Sequence, residues 1–275
     1  MKPPAFDYVR AETVDEITAA LAQHGSEARV IAGGQSLIAM LNMRLARPAL
    51  LVDLMRVEPL SRIVEEPYEL VIGAAVRQSA TLSYPGLKHQ TPLLVEALPW
   101  VGHVQTRSRG TICGSVAHAD PSAEIPLCLI ALEGEVRLRT HRKRRRVPAE
   151  AFFTGMMATN REDDEFIEAV AFPKRRAGTG YAFVEVGRRH GDFAIVACAA
   201  VVDAKRMRLA VSGVADRPTA RDFPLLEGSA LDDALNAFAW ELRGSDDIHA
   251  TARYRRDLVR KLGRKALLEA LSCRS

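Results

Sequence analysis

The chain has 275 residues, of which 48% are hydrophobic and 26% charged, and its formal net charge is only +4. This length and apolar content suffice for a packed core in one or two domains, and they exclude a disordered tail. The longest uncharged apolar run covers residues 193–202, about half of the roughly 20 residues that a membrane-spanning helix needs. No membrane span is therefore predicted.

The start of the chain and its cysteines indicate the compartment. The first residues lack the apolar segment of a secretory signal and already carry Asp7 and Glu12, so the expected location is the cytoplasm. The cysteines show neither a Cys-x-x-Cys pair nor a histidine at zinc-ligand spacing, which predicts free and mostly buried thiols and no metal site. They are Cys113, Cys128, Cys198 and Cys273.

The first 55 residues predict a small β-α-β unit. Residues 13–16 form a capping box, and Gly25 ends the helix that the box begins. A short apolar strand then runs through a glycine turn into a second helix, and another short strand follows. These three elements are predicted at residues 28–31, 37–45 and 50–53.

The rest of the chain predicts two further sheets separated by a linker. A hairpin is expected at 62–64 with 70–73, and a short helix at 93–98. Two strands are expected at 136–140 and 165–172. Between them, residues 106–124 are rich in small residues and are predicted to be a functional loop. Residues 173–180 form the predicted linker and domain boundary. Beyond it we expect three strands of one sheet at 181–186, 194–202 and 209–214. Two helices are expected to follow at 231–242 and 251–271.

A basic run occupies residues 142–146 and raises the hypothesis of a nucleic-acid-binding protein. The alternating residues 135–139 precede the run, however, and this pattern predicts the exposed tip of a β-hairpin. The run also lacks the interleaved aromatic residues on which bases would stack. The favoured interpretation is a solvated turn or a rim contact to a partner subunit.

A glycine pair, Gly33 and Gly34, stands between a predicted strand and helix. Such a turn directs backbone N–H groups to one point and can bind phosphate without a charged side chain. The spacing disfavours a Rossmann dinucleotide site, and the absence of a following Gly-Lys-Ser/Thr excludes a P-loop. On this loop alone, an ordinary turn remains the alternative.

A second loop, residues 110–115, again combines glycines with the hydroxyl groups of Thr111 and Ser115. Two neutral loops rich in hydrogen-bond donors suit a long ligand with a diphosphate at its centre. Asp120 and Glu124 lie just downstream and are suitable acceptors for sugar or ribityl hydroxyl groups. Both acids could equally be helix-capping or first-turn residues.

Four segments together resemble one family. Residues 32–36 (AGGQS) and 111–121 (TICGSVAHADP) are similar to the two FAD-pyrophosphate loops in the flavoprotein (medium) subunits of molybdenum hydroxylases. This family includes xanthine dehydrogenase and aerobic carbon monoxide dehydrogenase. The similarity continues through residues 188–194 (RRHGDFA) and 254–258 (YRRDL), so it covers essentially the whole chain.

The resemblance implies an α+β fold. Residues 1–176 would be the FAD-binding fold shared with the vanillyl-alcohol oxidase superfamily, in two subdomains of about 1–56 and 57–176. Residues 177–275 would form the small α+β C-terminal domain of the carbon monoxide dehydrogenase flavoproteins.

The resemblance also implies a set of FAD contacts. Besides the two loops, it assigns acids near the ribityl chain, backbone contacts and a residue close to the isoalloxazine ring. The implied set is Ala32, Gly33, Gly34, Gln35, Ser36, Gly102, Thr111, Ile112, Cys113, Gly114, Ser115, Asp120, Glu124, Ile167 and Phe193.

Three positions depart from the family pattern. Cys113 replaces a usual glycine, Ser115 a usual asparagine or aspartate, and Val101 an aromatic residue found in some relatives. We predict that Cys113 is a tolerated small residue. Two alternatives are that its Cβ displaces the loop and that its thiol is redox-sensitive.

The function implied by the resemblance is electron transfer. A partner [2Fe-2S] subunit would deliver electrons to the FAD, a molybdopterin subunit would oxidise the substrate, and the assembly would be a dimer of heterotrimers. The chain itself shows no Ser-His-Asp or Cys-His nucleophile pattern. A self-contained flavin oxidase, with a covalent flavin link through His103, His118 or His190, is the second hypothesis. A basic nucleic-acid-binding or scaffold protein is the third.

Overall fold

The computed structural model describes residues 2–274. Its helices are α1 (Val14–His24), α2 (Leu37–Asn42), α3 (Gln78–Leu82), α4 (Leu87–Gln90), α5 (Pro92–Ala97), α6 (Val104–Arg107), α7 (Ile112–His118), α8 (Glu124–Ala131), α9 (Ala149–Phe152), α10 (Gly228–Glu241) and α11 (Ala252–Ser272). Its strands are β1 (Asp7–Arg10), β2 (Ala28–Ile31), β3 (Leu50–Asp53), β4 (Ile63–Glu65), β5 (Glu69–Gly73), β6 (Glu135–Arg139), β7 (Arg144–Pro148), β8 (Phe153–Gly155), β9 (Ala158–Thr159), β10 (Phe166–Pro173), β11 (Gly180–Gly187), β12 (Ala194–Val202), β13 (Met207–Ser212) and β14 (Thr219–Phe223).

The first sheet is parallel, with strand order β1-β3-β2. The predicted capping box is present at α1: the Thr13 hydroxyl accepts the Glu16 N–H at 3.2 Å, and Gly25 ends the helix with a φ of +50°. The predicted β-α-β unit is thus confirmed. Strand β1 is an addition to it, because its four residues are exposed and show no core-facing alternation for a pattern to detect.

The second sheet has the order β4-β5-β10-β6-β7 and is antiparallel throughout. It contains the predicted hairpin of β4 and β5 and the basic hairpin of β6 and β7. Its central strand, β10, has a bulge between Ile167 and Ala169. The bulge lies beside the residues that β10 contributes to the cleft described below.

The third sheet has the order β11-β12-β13-β14. All nine residues of β12 are buried, because α10 and α11 pack on one face of this sheet while α5 and α8 pack on the other. The three predicted strands and two helices are present, and β14 adds an edge strand. Segment 174–179 joins the second sheet to the third, and Tyr181 and Phe183 beyond it pack into the core of the preceding residues.

Two helices lie where the sequence indicated a loop or gave no periodic signal. Helix α7 occupies the centre of the predicted loop 106–124, because Thr111 caps it by accepting the Gly114 N–H at 2.9 Å. Helix α8 is buried at all eight positions. Apolar residues lie on every side of it and leave no amphipathic pattern, because the third sheet and helices α5, α7 and α9 pack around it.

Candidate functional site

A cleft of about 720 Å³ runs between the first sheet, helix α7 and the turn that precedes β12. Every residue of the implied FAD-contact set except Ile112 lines it. Ile112 points into the core with no exposed surface, and its N–H donates to the Val76 carbonyl at 3.3 Å. Ile112 therefore anchors the second loop to the core and does not line the cleft.

The first loop, Ala32 to Ser36, connects β2 directly to α2. Within residues 2–274, none of its five backbone N–H groups donates to a protein acceptor. Gly34 has a φ of +71°, a conformation that glycine adopts without strain. Unpaired amides that face a cleft are suited to the oxygen atoms of a phosphate, so this loop fits the diphosphate of a dinucleotide.

The second loop packs directly against the first. A Cβ built on Gly33 would lie 2.0 Å from the Arg109 carbonyl oxygen and 2.7 Å from the Gly110 Cα. Hydrogen bonds to neighbouring backbone fix this loop: Gln78 N–H donates to the Gly110 carbonyl at 2.8 Å. The amides of Thr111 and Cys113 have no acceptor within the described chain. Both loops therefore offer donors on facing sides of one narrow space.

The Cys113 side chain points away from the cleft surface and into the core. It is 3% exposed, and its thiol donates to the Ile72 carbonyl at 3.4 Å. Burial raises the pKa of this thiol well above its ordinary value. A neutral, enclosed thiol is unreactive, so the redox-sensitive alternative for Cys113 has no structural support. Ser115 is half-buried and lines the cleft.

The two acids downstream play different structural parts. Asp120 accepts the Ser122 N–H at 2.8 Å and fixes the turn before α8. Glu124 is the first residue of α8 and is only 4% exposed. Burial, and then the charge of Asp120, raise its pKa to about 7. Glu185 of β11 has a raised pKa because of burial and the neighbouring Glu124. Burial and mutual repulsion thus raise the pKa of both carboxyl groups.

The far end of the cleft is formed by Gly102, Val101 and the turn before β12. Phe193 ends that turn and is 63% exposed while lining the cleft. The turn is held down by ring contacts, because the tilted rings of His190 and Trp100 pack together with centroids 4.9 Å apart. The aromatic side chain of Phe193 is thus held at the edge of the cleft. Its approach to the isoalloxazine ring stays a prediction.

Sequence reasoning missed three cationic residues in the lining of the cleft. They are Arg29, Arg47 and Arg161. Arg161 donates to the carbonyl oxygens of Glu162 and Glu165 at 2.7 Å each, and burial, followed by the charge of Arg29, lowers its pKa. No motif or periodicity marks these arginines, since the fold brings them together from three separate loops and strands.

The histidines considered for a covalent flavin link take different positions. His118 lines the cleft, and burial lowers its pKa. His190 packs against Trp100, and the His103 ring lies against Gly191, where an added Cβ would be 2.7 Å from Cε1. The last two therefore fix the turn before β12.

The basic run is paired with carboxylates across the second sheet. Arg137 contacts Glu66 at 2.6 Å and Glu69 at 2.8 Å, and Arg145 forms two 2.7 Å hydrogen bonds with Glu165. Arg139, Arg144 and Arg146 are also paired. Only residues 141–143 form the turn, so the prediction that the whole run is a hairpin tip is corrected. Arg144 and Arg146 stay more than half exposed, but each is paired with a carboxylate, which offsets the positive charge that the nucleic-acid hypothesis needs along β7.

Between residues 2 and 274, no group of three or more His, Cys, Asp and Glu side chains is arranged to hold a metal ion. No helix in the same range has the length and apolarity to cross a membrane.

Comparison with known proteins identifies the family. Residues 4–175 match the family described as the FAD binding domain in molybdopterin dehydrogenase. Residues 181–270 match the carbon monoxide dehydrogenase flavoprotein C-terminal domain. The fold and cleft thus define an FAD-binding flavoprotein, and the chain belongs to the family of medium subunits of molybdenum hydroxylases.

Relatives and solved structures agree. The chain is 37% identical to the 6-hydroxypseudooxynicotine dehydrogenase complex subunit alpha of Paenarthrobacter nicotinovorans, covering 98% of this chain and 96% of the relative. It is 38% identical to the carbon monoxide dehydrogenase medium chain of Hydrogenophaga pseudoflava over 80% of this chain and 78% of the relative. A solved structure of carbon monoxide dehydrogenase from that organism superposes with a TM-score of 0.94, at 32% identity and full coverage of both chains.

These findings confirm the predicted α+β fold, the flavoprotein family and an FAD-dependent oxidoreductase subunit with an electron-transfer role. The particular FAD contacts and the domain boundary at residue 176 stay predictions.

Proposed function

We propose that the cleft holds FAD with its diphosphate between residues 32–36 and 111–115. The observation that carries this proposal is the set of five first-loop N–H groups that have no protein acceptor among residues 2–274. This loop packs against the second, where the Thr111 and Cys113 N–H groups also lack an acceptor in the described chain. The Thr111 hydroxyl oxygen accepts the Gly114 N–H, and its O–H remains available as a donor beside the backbone groups. A cleft of about 720 Å³ lies within the range typical of cofactor sites.

The other predicted contacts divide between the two ends of the cofactor. Asp120 and Glu124 are placed to accept hydrogen bonds from hydroxyl groups of the ribityl chain. Gly102 and Ile167 would contact the cofactor through the backbone, and Phe193 would cover part of the isoalloxazine ring. The cationic residues Arg29 and Arg161 would then face the adenosine end. The exposed aromatic side chain of Phe193 in the cleft lining supports this orientation.

FAD, when bound, supplies an acceptor of two electrons that can release them one at a time or as a pair. The chain's own residues bind and orient it, and they control access. Buried side chains such as Val101 and Phe166 exclude water from the cleft walls. Glu124 brings a buried carboxyl group with a raised pKa to the cleft lining.

The partners are proposed from the family. Relatives with similar chains are medium or FAD subunits of dehydrogenase complexes. We therefore propose that an iron–sulfur subunit with [2Fe-2S] clusters delivers electrons, and that a molybdopterin subunit oxidises the substrate. A dimer of heterotrimers is the proposed assembly. Three of the four thiols are buried and all four are unpaired, which suits the cytoplasm as the proposed compartment.

The test compares three flavins. Apoprotein is titrated with FAD, FMN and riboflavin, and flavin fluorescence reports binding. If the two loops hold the diphosphate, FAD should bind at least about a hundredfold more tightly than FMN or riboflavin, a difference of about 2.7 kcal/mol. Equal affinity for the three flavins would place the binding energy on the ring alone and contradict the loop assignment.

A second experiment tests the partners. The tagged chain is purified under native conditions from its own host, and the material is analysed for molybdenum, iron and subunit masses. Molybdenum and iron together with two further chains are expected. A chain that purifies alone with bound flavin and reduces that flavin with an organic substrate would instead support the self-contained oxidase.

A further inference from the structure

Arg255 is a buried cation in the first turns of α11, and no part of the cleft described above includes it. Its side chain is only about 5% exposed. The guanidinium Nη1 donates to the Ile195 carbonyl at 2.7 Å and to the Gly213 carbonyl at 2.5 Å. Nη2 donates to Asp247 Oδ2 at 2.5 Å. The Arg255 side chain therefore connects three segments: the start of β12, the residue after β13 and the loop before α11.

The two carbonyls lie where the sheet ladder stops. Pairing between β12 and β13 ends with Ala197 opposite Ser212, so Gly213 lies beyond it. On the other side of β12, Val186 pairs with Val196 and Gly187 pairs with Ala194. Ile195 is thus the extra residue of a bulge. Arg255 supplies the donors that the ladder does not provide to these buried carbonyls.

Gly213 brings the two segments into contact. It has a φ of +80°, and a Cβ at this position would lie 2.5 Å from the Ile195 carbonyl oxygen. Its N–H donates to the Pro121 carbonyl at 2.8 Å. The end of β13 is therefore connected on one side to the start of β12 and on the other to the turn that carries Asp120.

Both segments held by Arg255 lead into the cleft. Phe193 is two residues before Ile195 and lines the cleft. Asp120 directly precedes Pro121, and Glu124 follows in the same turn. A bulge redirects the side chains beside it, so the position of Ile195 sets the direction from which Phe193 reaches the cleft.

We propose that Arg255 is a positioning residue of the flavin site, which fixes Phe193 through the Ile195 bulge and Asp120 through Gly213 and Pro121. This inference rests on the proposed FAD site. It gives the sequence motif at residues 254–258 a role, since the motif lies outside the cleft but its arginine supports two of the cleft's walls.

The fork shape of arginine is needed at this position. A planar guanidinium donates to two carbonyls and one carboxylate simultaneously, whereas a lysine ammonium on its flexible stem does not reproduce this geometry. Asp247 balances the charge and is itself fixed, because its Oδ1 accepts the N–H groups of His249 at 2.8 Å and Ala250 at 2.9 Å.

The test uses Arg255→Met and Arg255→Lys in the full chain, with Arg208→Met as the matched control. Arg208 is a buried arginine of β13 that donates to Asp222 at 3.0 Å and to the Ile130 carbonyl at 3.3 Å, and its partners do not line the cleft. The readouts are the Kd for FAD, the visible circular dichroism of bound flavin, and thermal unfolding of the apoprotein.

We expect Arg255→Met to raise the Kd for FAD by about tenfold or more and Arg255→Lys to raise it by less. Both should change the flavin circular dichroism in the same direction as Phe193→Ala. Arg208→Met should lower the unfolding temperature while leaving the Kd and the dichroism at wild-type values.

Wild-type Kd and dichroism in the Arg255 variants would overturn the inference, as would an Arg208→Met variant with the same loss of FAD. If Arg255→Met does not fold, Arg255→Lys decides by the same criteria. Failure of the wild-type chain to bind FAD would instead contradict the proposed function, so the two failures are distinguishable.

Discussion

Gly33 and Arg109 are in direct backbone contact: a Cβ on Gly33 would stand 2.0 Å from the Arg109 carbonyl oxygen. The two residues belong to different loops, one following β2 and the other preceding α7. Their contact sets the separation of the two rows of amides that face each other across the cleft. Only a residue without a Cβ permits this separation.

Gly33→Ala should therefore separate the loops. The added methyl group cannot be accommodated by a side-chain movement, because the atoms it meets are backbone. We expect the Kd for FAD to rise at least about tenfold, with larger losses for Gly33→Val. Equilibrium titration of apoprotein with FAD measures the effect.

Gly155→Ala is the matched control. Gly155 has no positive φ, and the nearest atom to its added Cβ is Asp216 Oδ2 at 3.5 Å, an ordinary contact distance. FAD affinity should be unchanged in this variant. Unchanged affinity in Gly33→Ala as well would show that the loop contact does not shape the binding site.

Glu124 should make apoprotein stability depend on pH. Its pKa is raised from 4.5 to about 7, first by burial and then by Asp120. The folded state therefore binds more protons at Glu124 than the unfolded state between these values, so the contribution of Glu124 to stability is greatest below about pH 4.5 and decreases as pH rises towards 7. A shift of this size corresponds to a loss of up to about 3 kcal/mol.

Glu124→Gln should remove that loss, because a neutral amide has no charge to desolvate. Denaturant unfolding of the apoprotein is measured at about pH 5 and at about pH 8. The variant should be more stable than wild type at the higher pH and similar at the lower. Glu227→Gln, at an exposed position, serves as the control. An identical pH dependence in wild type and Glu124→Gln would contradict the assignment of a raised pKa to Glu124.

The thiols should differ sharply in reactivity. Cys113, Cys128 and Cys198 are buried, while Cys273 is exposed. Burial raises the pKa of each buried thiol well above its ordinary value. A disulfide reagent should therefore label Cys273 alone in the folded apoprotein and all four cysteines after denaturation. Labelling of Cys113 in the folded protein would restore the redox-sensitive hypothesis.

Arg145→Met should destabilise the second sheet. Arg145 and Glu165 form a paired contact with two 2.7 Å hydrogen bonds, and the Glu165 side chain has no exposed surface. Removal of one partner from a buried pair costs about 3–5 kcal/mol, and the partial exposure of Arg145 places the expected loss at about 1–3 kcal/mol. Urea unfolding measures it.

Arg142→Met provides the comparison, since Arg142 lies in the exposed turn of the same basic run. Its unfolding free energy should change by less than about 0.5 kcal/mol. The same variants separate the structural and nucleic-acid interpretations. DNA binding that depends on salt and disappears in Arg142→Met would revive the nucleic-acid hypothesis.

The sequence predicted those elements whose periodicity or capping is local. Thr13 and Gly25 delimit α1 through contacts within a few residues, and the alternation in β6 reflects one buried face. The glycine turn at residues 32–36 was also visible, because its conformation depends on residues that are adjacent in sequence. The family resemblance then joined it to residues 111–115, which contact it only through the fold.

Other features depend on tertiary contacts that leave no local pattern. Helix α8 has apolar residues on every side because the third sheet and neighbouring helices pack around it. The arginines of the basic run look solvent-exposed in sequence, yet Glu66, Glu69 and Glu165 reach them across neighbouring strands and loops. The cationic residues of the cleft lining, Arg29 and Arg161, are brought together from distant segments in the same way.

The visible absorption spectrum of the purified chain, recorded before and after addition of FAD, tests the central claim most directly. Denaturation then shows how much flavin is released. The account predicts a flavin spectrum with about one releasable FAD per chain. A correctly folded chain that neither contains nor takes up FAD would contradict it.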